Sequence, residues 1–278
     1  MLSIALKVLA ALVIAYALVV LLAWRFQERI AFPGPGGPLP TPQAAGIPDG
    51  ELIAVTTEDD VELRGWYLPP NPAPPEGARA PGLIWFYGNM ETVGGIAPVL
   101  REFRPQGIGL VVLDYRGYGE SGGAATEAGV YKDAEAAWRY LTQRPEIDTT
   151  RIAVYGRSIG SAVALYLATE RPVRAVVLES PFTSGRDMAE EHYGMLPGWL
   201  VQLRLDNRER AQRLTAPLLV FHGTEDWIAP FEMGRAIAQA GRAELFVPLE
   251  GSGHNDTYTV GGASYRDTFH SFLRRHLE

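Results

Sequence analysis

The sequence predicts an α/β fold built on a mostly parallel, eight-stranded sheet flanked by helices. Three observations lead there. Short β-branched runs such as GLVVLDY, IAVYG and LLVFHG alternate with longer helical stretches. Those runs are apolar throughout, as strands covered on both faces must be. At 278 residues, 47% hydrophobic and 21% charged, the chain is long enough to bury one large core.

The first 25 residues stand apart from that pattern. Val8 to Trp24 (VLAALVIAYALVVLLAW) carry no charge and are flanked by Lys7 on one side and Arg25 and Arg29 on the other. With Leu2 to Leu6 added, the stretch reaches the roughly 20 residues that span a bilayer. A cleaved signal peptide is the competing reading, since Ala15-Tyr16-Ala17 resembles a cleavage site. Yet the apolar run continues through Leu22, where a cleavage region turns polar. Residues 1–25 are therefore expected to be a retained, single-pass transmembrane signal anchor, with Trp24 at the interface. Charge does not orient it, because the amino terminus and Lys7 nearly balance Arg25 and Arg29.

Residues 26–50 are expected to form a Pro/Gly-rich linker; FPGPGGPLPTPQAAGIPDG, from Phe32, has no periodicity and should lie extended along the domain. The domain itself is expected over 51–278. ELIAVTT and VELRGWYL read as two strands around the acidic turn Glu58-Asp59-Asp60, an antiparallel edge. The other predicted strands are LIWFYG from Leu83, GLVVLDY from Gly109, IAVYG from Ile152, AVVLES from Ala175, LLVFHG from Leu218 and AELFVPLE from Ala243. Helices are predicted over Ile96–Phe103, Glu127–Gln143, Ile159–Glu170, Phe231–Ala240 and Ala263–Leu277. Residues from about 183 to 214 break the alternation and carry aromatics. They predict a small helical cap over the carboxyl ends of the strands, where open α/β sheets bind ligands.

Composition excludes several functions. The net charge of −7 and the lack of a basic run argue against nucleic acid as a partner. Without cysteine there is no disulfide scaffold, thiolate metal site or cysteine nucleophile. The glycines of RGYGESGG are not followed by the Lys-Ser/Thr of a phosphate-binding loop.

The chemistry centres on Gly156-Arg157-Ser158-Ile159-Gly160, a G-x-S-x-G pentapeptide between a predicted strand and a predicted helix. That context is the one a nucleophile elbow requires, and the helix N-terminus beside Ser158 favours a developing anion. A serine hydroxyl needs a base. Of five histidines, His254 lies in the glycine-flanked loop GSGHND after the last strand, at the sheet end that carries Ser158. His192 falls in the cap, His222 ends a strand, and His270 and His276 sit in the closing helix. The base needs an acid to fix its tautomer. FHGTEDWIAP offers Asp226, with Glu225 the competing acid and Asp256 too near His254 in sequence. The order Ser158, Asp226, His254 is that of α/β-hydrolases. Two backbone donors for an oxyanion should come from Ile159 and from the loop Gly88-Asn89-Met90, with Asn89 favoured and Met90 the alternative.

IWFYGNMET, VVLDYRGYGESGG, IAVYGRSIGSAVAL, VVLESPFTS, PLLVFHGTEDWIAP and GSGHND together resemble the successive blocks of the α/β-hydrolase superfamily. Within it the chain is most similar to membrane-anchored, serine-aminopeptidase-like hydrolase-domain proteins, whose relatives include protein depalmitoylases. The resemblance covers nearly the whole chain. It implies Ser158, Asp226 and His254 as a triad, and Asn89 and Ile159 as oxyanion donors. It also implies that Asp114, Arg116, Gly117, Gly119 and Ser121 shape the floor of the site in a structural role. Where the family usually has His-Gly, this chain has Tyr87-Gly88; the backbone donor survives that change, but the loop's hydrogen bonding is not carried over.

The expected function is a serine hydrolase of carboxylic esters or thioesters, acting on acyl or lipid-like substrates through an acyl-enzyme, with neither cofactor nor metal. Tethering and the apolar cap residues Met195, Leu196, Trp199, Leu200 and Leu203 point to acyl chains. A peptidase or amidase on the same residues is one alternative. A non-catalytic, membrane-tethered binding protein on this scaffold is another.

Overall fold

The structure is a computed structural model that describes residues 2–195 and 197–278. Eight strands form one sheet: β1 (Glu51–Thr56), β2 (Glu62–Leu68), β3 (Ala80–Phe86), β4 (Gly109–Leu113), β5 (Ile147–Arg157), β6 (Ala175–Glu179), β7 (Leu218–Gly223) and β8 (Leu245–Leu249). Their order is β1-β2-β4-β3-β5-β6-β7-β8. The β1–β2 and β2–β4 pairings are antiparallel, and all pairings from β4 through β8 are parallel. Every residue of β4, β6 and β7 is buried, which is why their sequences read as unbroken apolar runs. β8 is an edge strand and only half buried, so it tolerates Pro248.

Six helices complete the domain body: α2 (Ala97–Phe103), α3 (Glu127–Thr142), α4 (Ile159–Glu170), α6 (Asn207–Arg213), α7 (Phe231–Ala240) and α8 (Thr257–Leu277). α3 is started by Thr126, whose side chain accepts from the Gly129 amide. The closing helix begins six residues before its predicted start at Ala263, because a first helical segment from Thr257 is joined to the main one across a break at Gly262. β5 likewise extends the predicted Ile152–Gly156 in both directions and ends against Ser158. The chain passes from β3 to β4 on one side, then crosses to β5 on the other side of β3. A crevice opens at such a switch point, here at the carboxyl ends of β3 and β5.

The segment predicted as a cap is split. α5 (Gly185–Tyr193), capped by the Ser184 side chain, and a 3-10 turn at Gly198–Leu200 line the cavity that Ser158 also lines. α6 instead packs on α4 and α7 within the body. Of the apolar cap residues, Leu203 is buried, Leu200 is half-buried, Met195 and Trp199 are exposed, and Leu196 lies outside the described residues.

At the N-terminus, α1 (Leu2–Ala31) is one helix of 30 residues, long and apolar enough to cross a bilayer. It continues six residues past the anchor boundary expected at Arg25, so the first part of the expected 26–50 linker is helical. From Phe32 the chain is irregular and lies on the domain: Phe32, Leu39 and Ile47 are buried in the core, and Pro40 accepts from the Trp66 indole.

Candidate active site

Ser158 occupies the turn between β5 and α4 with φ 51° and ψ −118°. A non-glycine residue is held there only because its surroundings over-determine it. Its amide donates to the Glu179 carbonyl of the neighbouring strand, and its carbonyl accepts from the amide and hydroxyl of Ser161. Close approach does the rest. A Cβ on Gly156 would stand 2.4 Å from the Gly160 carbonyl oxygen, and one on Gly160 would stand 2.3 Å from that of Phe86. Only glycine lets β5, α4 and β3 approach this closely.

His254 and Asp226, 96 and 68 residues further along the chain, reach the same point. The imidazole Nε2 lies 2.9 Å from the Ser158 hydroxyl, and Nδ1 lies 2.7 Å from Asp226 Oδ2. His254 is 6% exposed and Asp226 5%. Asp226 Oδ1 accepts from the amides of Ile228 and Ala229 at 3.0 and 2.8 Å. Burial pushes this carboxyl up, but hydrogen bonds from His222 and His254, the charge of His254 and the Ala229 amide outweigh it. They hold Asp226 well below the usual carboxylate range. With Asp226 ionised, the hydrogen shared with Nδ1 belongs to the imidazole, leaving Nε2 to accept from Ser158.

The competing side chains stand elsewhere. Glu225 is exposed, and Asp256 caps its own loop by accepting from Ser252 and Gly253. His192 meets the Ile228 carbonyl, and His270 that of Phe103. His222 is fully buried behind Asp226, with Nε2 2.7 Å from the Ala229 carbonyl and 3.3 Å from Asp226 Oδ2.

The loop after β3 brings Asn89 and Met90 to the rim of the cavity that Ser158, Ile159 and His254 also line. Asn89 Oδ1 accepts from the Met90 amide at 2.9 Å and from the Tyr118 hydroxyl at 3.2 Å. Among the described residues, no acceptor takes the Asn89 amide. Ile159 is the first residue of α4, where an amide has no intrahelical acceptor. Tyr87, next to Gly88, is buried; its hydroxyl donates to Asp114 Oδ1 at 2.8 Å and accepts from the Tyr115 amide. Asp114 also accepts from the Val93 amide, so the tyrosine ties the loop to the floor of the site. Burial raises the Asp114 carboxyl to about 6. Arg116 forks between Asp133 and Asp59, and Ser121 donates to the Asp114 carbonyl, placing that block beneath the site.

Arg157 was not singled out in the sequence and proves to be the junction of the site. Its Nη2 donates to the His254 carbonyl at 2.6 Å and to Asn255 at 3.0 Å. Nη1 donates to Glu91 Oε1 at 2.8 Å, and Nε to the buried Glu179 at 3.0 Å. The other Glu91 oxygen accepts from the Gly88 amide at 2.6 Å. Desolvation disfavours the buried guanidinium, but Glu91 and Glu179 outweigh it and keep Arg157 charged. One side chain thus holds the serine turn, the histidine loop and the loop after β3. The one available signal was a cation at the variable position of the pentapeptide. Its partners lie 66, 22 and 97 residues away and cannot be read from spacing.

Comparison with known proteins agrees with this architecture. A family model described as serine aminopeptidase, S33, matches residues 81–206. The Mycobacterium tuberculosis protein Rv2307c is 34% identical over 97% of this chain and 95% of its own. The Arabidopsis thaliana α/β hydrolase domain-containing protein WAV2 is 31% identical over 90% of this chain and 88% of its own. The chain belongs to the α/β-hydrolase superfamily and is a hydrolase by family. Among solved structures, a Pyrococcus furiosus esterase superposes with a TM-score of 0.69 at 20% identity, covering 88% of this chain and 98% of that one. A Mycobacterium tuberculosis puromycin-hydrolyzing peptidase gives a TM-score of 0.69 at 21% identity, covering 82% of this chain and 39% of that one. At such identities the likeness is one of fold.

Proposed function

We propose that this protein is a membrane-tethered serine hydrolase that cleaves carboxylic ester or thioester bonds of acyl or lipid-like substrates. The observation that carries the reading is the hydrogen-bonded series from the Ser158 hydroxyl through His254 to Asp226, at 2.9 and 2.7 Å, on the wall of a cavity. His254 Nε2 takes the Ser158 proton as the oxygen attacks the carbonyl carbon, and Asp226 stabilises the imidazolium. The Ile159 and Asn89 amides receive the oxyanion; the Met90 amide, already bonded to the Asn89 side chain, is the poorer donor. His254 then protonates the leaving alcohol or thiol, and the acyl group stays on Ser158. Water, deprotonated by His254, releases the acid and restores the hydroxyl. No step calls for a cofactor or metal.

The lining favours acyl groups over peptides, since Ile159, Phe182, Met188, Leu200, Leu203 and Leu205 surround the serine. The peptidase alternative draws on the description of the family model and on a peptidase of similar fold. A binding protein without catalysis would leave three side chains of the right chemistry joined for no purpose. α1 serves as a single-pass anchor. A fluorophosphonate probe should label the wild type and not Ser158→Ala; labelling that persists in the variant removes Ser158 from its role. p-Nitrophenyl esters of increasing length should be cleaved increasingly well, and a strict preference for acetate would count against acyl substrates.

A further inference from the structure

The cavity at Ser158 measures about 1020 Å³, at the upper end of ligand pockets. The cap covers one side of it. The other side is α1, which contributes Val19, Leu22, Ala23, Phe26 and Ile30. α1 and the cap are also bonded to one another. Gln27 Oε1 accepts from the amides of Gln202 and Leu203 at 2.6 and 3.3 Å, while Nε2 donates to the Leu200 carbonyl at 3.3 Å. Further up, the Tyr16 hydroxyl donates to the Met195 carbonyl at 2.8 Å.

Those bonds set the height of the cap along α1. Tyr16 stands nine residues before Arg25, about 14 Å along the axis at 1.5 Å per residue, within the uncharged run. When α1 spans a bilayer, the cap tip bonded to Tyr16 is therefore at the depth of the hydrocarbon. There Met195 and Trp199, 78% and 79% exposed, find an apolar surrounding that water denies them. Val19, Leu22 and Ala23 belong to the same run. The cavity thus has its outer end at bilayer depth and its inner end at Ser158.

Resting on the hydrolase reading above, we infer that α1 is part of the substrate site. A long fatty acyl chain of an ester lipid in the adjacent leaflet slides sideways between α1 and the cap, and so brings its carbonyl to Ser158. The chain keeps apolar contact throughout, whereas a route through water is penalised for every methylene exposed. Gln27 is a positioning residue that fixes the gap between the two walls.

The test uses the full-length protein in phosphatidylcholine vesicles and compares kcat/KM for 1-palmitoylglycerol in the vesicles with that for p-nitrophenyl acetate in water. Ala23→Trp, which fills the gap, should lower the long-to-short ratio at least tenfold, and Gln27→Ala should lower it severalfold. Leu21→Trp, on the opposite face of α1, should move it less than twofold. Equal effects of the two tryptophans, or none from either, overturn the role of α1. Cleavage of an S-palmitoylated peptide in the same vesicles, with 1-palmitoylglycerol untouched, overturns the lipid as the source of the chain. A wild type that reacts with neither ester nor fluorophosphonate sinks the hydrolase reading itself, a result distinct from an unaltered ratio in an active enzyme.

Discussion

Arg157 illustrates how one side chain can govern a site it does not touch chemically. Its four hydrogen bonds are spread over the His254 loop, Glu91 and Glu179, and Glu179 is fully buried among the hydroxyls of Tyr155, Thr257 and Tyr265. Removing the guanidinium leaves two carboxylates without their cation. Arg157→Met is therefore expected to cost about 3–5 kcal/mol of stability, as for other broken buried pairs, measured as a lower urea midpoint. Arg157→Lys keeps the charge and cannot make the forked contacts. It should recover much of the stability while kcat stays roughly tenfold low, since a small misplacement of His254 is enough to slow proton transfer. A variant with wild-type kcat would show that the histidine loop holds its own position.

The serine turn is a property of three elements together. β5 delivers Ser158, α4 carries its backbone donor, and the carbonyl end of β3 presses on Gly160. Gly160→Ala puts a methyl group against the Phe86 and Tyr87 carbonyls, at 2.3 and 2.6 Å. It is expected to destabilise the protein by about 1–3 kcal/mol, the range for overpacking, and to depress activity by moving the loop that carries Asn89. Normal unfolding and normal turnover in that variant would show that the turn does not need the close approach. The pentapeptide was legible because each of its small residues answers a local steric demand. The strand and helix bounds were legible to within a few residues for the same reason, as with α4 and α7, whose ends match. α8 was not, because helical residues 257–261 precede a break at Gly262 that periodicity alone reads as a loop.

For the whole molecule, buried charge makes folding depend on pH. Asp114, raised to about 6 from 3.8 by burial, binds its proton more tightly when folded. Its contribution to stability is present below pH 4 and is lost as pH rises through about 6, by up to ~3 kcal/mol for such a shift. Asp114→Asn should consequently gain on the wild type between pH 4 and 7 in chemical denaturation; a constant difference across that window would mean Asp114 titrates normally. At the same scale stands the anchor proposed for α1, a helix long and apolar enough to cross a bilayer. Deleting residues 1–25 should release protein into the soluble fraction that still reacts with a fluorophosphonate. Continued sedimentation with membranes would contradict a single tether.

Legible along the chain were the fold class, the antiparallel edge, the tight turn at Ser158, and His254 and Asp226 as the histidine and carboxylate that meet there. These follow from local sterics and from the rule that loops after parallel strands emerge at one end of the sheet. Only the tertiary structure brought Arg157, Glu91 and His222 to the site, bonded Tyr87 to Asp114, and seated α1 against the cap. Apart from His222, four residues before Asp226, those contacts join residues tens to well over a hundred positions apart. Their geometry depends on how the elements pack, which no spacing along the chain encodes.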